Sequence, residues 1–97
     1  MNIMKIRFRI LGALREVVGL KELSIDVPNN ATVGSAIKQL IGYESLTHSV
    51  LWDQEVDSPI PNALILLDGV EINNLKGIET SLEPEQEIVI LSIIHGG

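Results

Sequence analysis

The stretch IMKIRFRI, residues 3–10, alternates from Met4 onward. Met4, Ile6, Phe8 and Ile10 fall on one side, and Lys5, Arg7 and Arg9 on the other. A period of two with one charged side describes a strand half buried against something else. It therefore demands a sheet with one covered face. KELSIDV repeats the pattern, with Leu23, Ile25 and Val27 facing inward, Ser24 and Asp26 outward, and Pro28 ending it. Between the two lies GALREVVG, bracketed by Gly12 and Gly19, which is one or two helical turns or a wide loop.

The cover for the sheet comes next. PNNAT is turn chemistry, and Thr32 is placed to cap the next segment. In that segment Val33, Ala36, Ile37, Leu40 and Ile41 recur at helical spacing, with Gly42 as the stop. ESLTHSVLWDQ is amphipathic and reads as a shorter helix, and EVDSPIP as a loop. A strand from Ala63 to Leu67 then runs into Asp68-Gly69, a hairpin signal, with Val70 to Ile72 as its short partner. The polar stretch NLKGIETSLEPEQE is expected to be pinned by Leu75, Ile78 and Leu82. The last strand is Ile88 to Ile94.

Strand, strand, helix, strand, short strand, strand is an α+β order: one mixed sheet packed on one main helix. If the last strand pairs with the first, the two run parallel, and the chain between them supplies the crossover. With 97 residues there is room for one small domain, expected over residues 1–94, with 95–97 as a flexible tail.

Composition excludes several functions. With no cysteine, neither disulfides nor thiolate catalysis nor Cys-based zinc sites are available, and a reducing cytoplasm fits. Seven Lys and Arg against thirteen Asp and Glu give a net charge of −6. This balance argues against nucleic acid and favours encounter with a basic protein, or simply solubility. No apolar run reaches the length of a membrane span. Gly12 and Gly19 lack the spacing and the Lys-Ser/Thr of a phosphate loop, and no pair of carboxylates stands out as acid and base. His48 and His95 fall in different elements, which leaves a metal role without partners. Arg7, Arg9 and Arg15 could meet an acidic partner, although a solvated strand face explains the first two.

The ending, ILSIIHGG, carries the remaining signal. Gly96 and Gly97 have no Cβ, so the tail is thin enough to thread a narrow channel in another protein. A strand held in the sheet would project the Gly97 carboxylate a fixed distance. Such a carboxylate becomes reactive once converted to an acyl-adenylate, whose AMP a nucleophile displaces. If Ile88 and Ile90 point into the core, then Val89, Leu91 and Ile93 face out as a docking stripe for a partner. Both sides of the strand are apolar, so the opposite phase, or a strand covered on both sides, stays open.

FRILGALREVVGLKELSIDVPNNATVGSAIKQL, the NALILLDGVEI hairpin and the closing HGG together resemble the MoaD/ThiS family of ubiquitin-like sulfur carriers, across essentially the whole chain. The resemblance implies a β-grasp fold and a protein that is not itself an enzyme. It implies that a ubiquitin-activating-type adenylyltransferase uses Mg-ATP to adenylate Gly97, and that a sulfurtransferase supplies sulfur for a C-terminal thiocarboxylate. No cofactor would be bound by the chain itself. The sulfur would go to molybdopterin, through the large molybdopterin synthase subunit, or to a tRNA-thiolating enzyme. SIIHGG lacks the proline common before Gly-Gly in the molybdopterin branch and is more like the ubiquitin-related modifiers, which are also attached to lysines. The remaining alternative is a non-covalent β-grasp binding module.

Overall fold

In a computed structural model, the structure describes residues 2–12, 22–43 and 51–92. Strands β1 (Ile3–Gly12), β2 (Glu22–Pro28), β3 (Ala63–Leu67), β4 (Val70–Glu71) and β5 (Glu87–Ser92) form one sheet in the order β2-β1-β5-β3-β4. β1 and β5 are parallel, and every other pairing is antiparallel. The first and last strands therefore pair as the crossover requires. β5 stands in the middle of the sheet, with hydrogen-bonded neighbours on both sides.

Helix α1 (Val33–Tyr43) covers one face. Its start is fixed by a reciprocal pair: the Ser35 N–H donates to Thr32 Oγ1 at 3.2 Å, and the Thr32 N–H donates to Ser35 Oγ at 2.9 Å. This satisfies donors that the first helical turn leaves open. Val33, Ala36, Ile37, Leu40 and Ile41 merge with Met4, Ile6, Phe8, Ile10, Ile65, Ile88 and Ile90 into one buried cluster. Each large aliphatic side chain buried there contributes about 1.5–3 kcal/mol. This is the β-grasp arrangement.

Some details differ from the sequence reading. β5 ends at Ser92 among the described residues, and residues 93–97 lie outside them. One short 3₁₀ turn, Ile72–Asn74, leads into the polar stretch, and a second, Gly77–Glu79, is within it. Leu82 is buried and Ile78 packs on the core, but Leu75 is 44% exposed and pins nothing. Gly42 does not stop α1, which continues to Tyr43. GALREVVG, Arg15, the helix read into ESLTHSVLWDQ up to Val50, and His48 lie outside the described residues. Beyond them, Trp52 is buried and its Nε1–H donates to Asp57 Oδ1 at 2.9 Å, which ties down the following turn.

The short partner strand ends at Glu71 and Ile72 begins a 3₁₀ turn, but the Asp68-Gly69 hairpin forms. Both residues have positive φ, +46° and +84°, as a two-residue turn matching strand twist requires. Asp68 also reaches across to β5, where its Oδ1 accepts from the Glu87 N–H at 2.9 Å. The hairpin tip is thereby locked to the start of the central strand.

Candidate docking face and carrier tail

The phase of β5 is set by its neighbours. Ile88 and Ile90 are fully buried on the helix side, so Val89 and Leu91 belong to the opposite face. β1 places Leu11 beside Leu91 and Arg9 beside Val89. β3 places Leu64 beside Leu91 and Leu66 beside Val89. Around the second half of β5 the open face thus carries five aliphatic side chains in two adjoining rows, Leu11, Leu91 and Leu64, then Val89 and Leu66, while exposed Ile3 is at the other end of β1. The first row lies at the end of the strand that leads toward the tail.

Two of the three residues expected in the docking stripe are on this face, and Ile93 lies outside the described residues. Val89 is a correction: it is only 7% exposed, although it is on the open side. It belongs to the central strand, and Arg9 and Leu66 flank it. The accessible apolar surface is supplied instead by Leu64, 38% exposed, and by half-buried Leu11, Leu66 and Leu91. Sequence reasoning missed Leu11, Leu64 and Leu66. For Leu64 and Leu66 the signal was in ALILL, which has no polar residue on either side.

Charge borders the apolar rows. Arg9 Nη2 donates to Glu87 Oε2 at 3.2 Å, and its Nε lies 3.8 Å from Glu22 Oε1. Arg7 Nη1 lies 3.9 Å from the same Glu87 oxygen, and its Nη2 donates to the Glu85 carbonyl at 3.0 Å. The arginines keep about half of their side-chain surface in solvent, as a solvated strand face implies, and pair with the chain's own carboxylates. A shallow groove of ≈ 350 Å³ lies over this network, lined by Arg7, Phe8, Glu22, Leu23, Ser24 and Glu87. At the far side of the sheet, Glu71 is in register with Leu66, and its Oε2 accepts from the Asn73 N–H at 2.6 Å.

The end of β5 is gripped closely. Ser92 lies between Gly12 and Ala63. Gly12 has φ +78°, and a Cβ there would come within 2.8 Å of the Ser92 carbonyl oxygen. Only glycine allows β1 to approach the exit strand this way. Gly96 and Gly97 lie outside the described residues. Among the described residues, no three His, Cys, Asp or Glu side chains are grouped to hold a metal, and no helix is long and apolar enough to cross a membrane.

The ThiS family model matches residues 8–97. Small archaeal modifier protein 3 of Haloferax volcanii is 30% identical over 95 residues, which span 97% of this chain and 100% of that protein. The solution structure of the Haloferax volcanii HVO 2177 protein is similar with a TM-score of 0.80 at 26% identity, covering 98% of this chain and 88% of that one. The fold is shared with Urm1 from Trypanosoma brucei, whose solution structure gives a TM-score of 0.78 at 20% identity over 100% of this chain and 99% of that one. The chain belongs to the ThiS family, whose members are small ubiquitin-like modifiers and carriers and not catalysts themselves.

Proposed function

We propose that the chain is a sulfur carrier whose reactive group is the Gly97 carboxylate. That carboxylate attacks the α-phosphorus of Mg-ATP held by an adenylyltransferase, pyrophosphate leaves, and an acyl-adenylate forms. The terminal sulfur of a persulfide on a sulfurtransferase then attacks the acyl carbon and expels AMP, and a second thiol, not from this chain, cleaves the S–S bond of the resulting acyl disulfide, forming a disulfide and releasing the thiocarboxylate. The partner supplies the catalytic groups; this chain supplies a thin tail and a surface to hold. The sulfur is destined for molybdopterin synthesis or tRNA thiolation.

The observation that carries this reading is the position of the apolar row Leu11, Leu91 and Leu64 at the tail end of the central strand. A partner covering that row is seated where β5 points, five positions before Gly97. An apolar patch beside a reactive end suits a protein that must be held while its end is worked on.

A second reading is favoured by the relative that is named a modifier protein. In it, a lysine amine on another protein attacks the activated carbonyl, loses a proton, and forms an isopeptide bond to Gly97. The intact mass of the chain isolated from its native host separates the two. One oxygen replaced by sulfur supports the carrier. Adducts on other proteins that vanish when Gly97 is deleted support the modifier. If removing Gly96 and Gly97 leaves partner binding and phenotype unchanged, both readings fail and a non-covalent binding module remains.

A further inference from the structure

One row of side chains crosses all five strands on the open face: Glu22, Arg9, Val89, Leu66 and Glu71. Its two charged ends are different. At the β2 end, Arg9 and Arg7 together face Glu22 and Glu87, two cations against two carboxylates, so charge is balanced within the chain. At the β4 end, Glu71 has no cationic partner among the described residues. Its Oε2 is occupied by the Asn73 N–H, and that bond holds the carboxylate in place at the start of a 3₁₀ turn. Exposed apolar surface adjoins it across the sheet in Leu66 and Leu64 on the same face.

We infer that the partner docking on this face places an arginine or lysine against Glu71. This inference rests on the docking reading above. A surface that covers Leu64 and Leu66 strips water from the neighbouring carboxylate. Covering an ionised group without compensation is costly, so a complementary partner supplies a cation there. The same partner needs no charge over Arg9, which already has its own. The net charge of −6 favours the same sign of partner at long range, and the fixed carboxylate turns that general attraction into a defined contact. Glu71 thus sets the orientation of the partner on a patch that is otherwise greasy and non-directional.

Glu71→Gln tests this cleanly, because the amide oxygen still accepts from the Asn73 N–H while the charge is lost. Binding of the full chain to the purified adenylyltransferase of the same organism is measured by calorimetry at low and high salt. Glu71→Gln is expected to weaken binding about fivefold to tenfold at low salt and to flatten the salt dependence. Glu71→Lys is expected to weaken it further. Glu55→Gln, in the exposed turn after Trp52, should match the unaltered chain at both salt concentrations. An unchanged affinity for Glu71→Gln, or a loss that leaves the salt dependence as steep as before, overturns the inference. Leu64→Glu distinguishes this failure from a failure of the docking reading. If Leu64→Glu abolishes binding and Glu71→Gln does not weaken it, only the cation contact is wrong; if Leu64→Glu binds normally, the docking face itself is wrong.

Discussion

Ile90 and Leu91 are neighbours on the central strand, similar in size and apolarity, and they meet different demands. Ile90 is fully buried under α1 and belongs to the continuous core. Leu91 is on the other side of the same sheet and stays partly exposed. One face of the sheet joins the core under α1, and the other keeps several aliphatic side chains partly exposed. A strand apolar on both sides would ordinarily be covered on both sides. Among the described residues α1 covers one face, and on the other Leu11, Leu64, Leu66 and Leu91 stay partly exposed around the end of β5.

This contrast can be broken by substitution. The largest effect is expected for Ile90→Ala, which opens a cavity beneath the helix and should cost about 2–5 kcal/mol in urea unfolding. Leu91→Ala, one position on, should cost less than about 1.5 kcal/mol, because its side chain is already partly in water. Equal losses at the two positions would erase the distinction between the faces. Gly12→Ala comes next: the positive φ and the Ser92 carbonyl oppose a Cβ, and a loss of about 1–3 kcal/mol in thermal or urea unfolding is expected. Thr32→Ala removes the helix cap and should cost about 1 kcal/mol by the same measurement. The smallest change is expected for Arg9→Met. The exposed pairs with Glu22 and Glu87 should contribute no more than about 1 kcal/mol, and that contribution should shrink as salt is added.

The parts legible in the sequence are those where one side of an element is polar. β1 and β2 each carry a charged face, so their orientation can be read from alternation alone. The Thr32 cap and the Asp68-Gly69 hairpin are legible because each is a local device with its own chemistry. β5 is not legible in phase, since Ile88, Val89, Ile90 and Leu91 offer no contrast. Its orientation is set by β1 and β3, whose residues are distant in sequence. For the same reason the burial of Val89 cannot be read locally, as it depends on the flanking Arg9 and Leu66. Leu75 misleads because an apolar residue in a polar stretch suggests an anchor, whereas the 3₁₀ turns bury Ile72 and partly bury Ile78 instead. The glycines of the tail are conspicuous in sequence for a chemical reason, the absence of a Cβ, and the role proposed for them rests on that chemistry.

The central claim is that the open face holds a partner while Gly97 is activated. The most direct measurement is the intact mass of the full chain after incubation with the adenylyltransferase, Mg-ATP and a sulfur donor, made in parallel on the unaltered chain and on Leu64→Glu. Circular dichroism establishes that both are folded. The unaltered chain is expected to exchange one oxygen for sulfur, and Leu64→Glu to keep its original mass. A Leu64→Glu chain that takes up sulfur as readily as the unaltered one would contradict the claim.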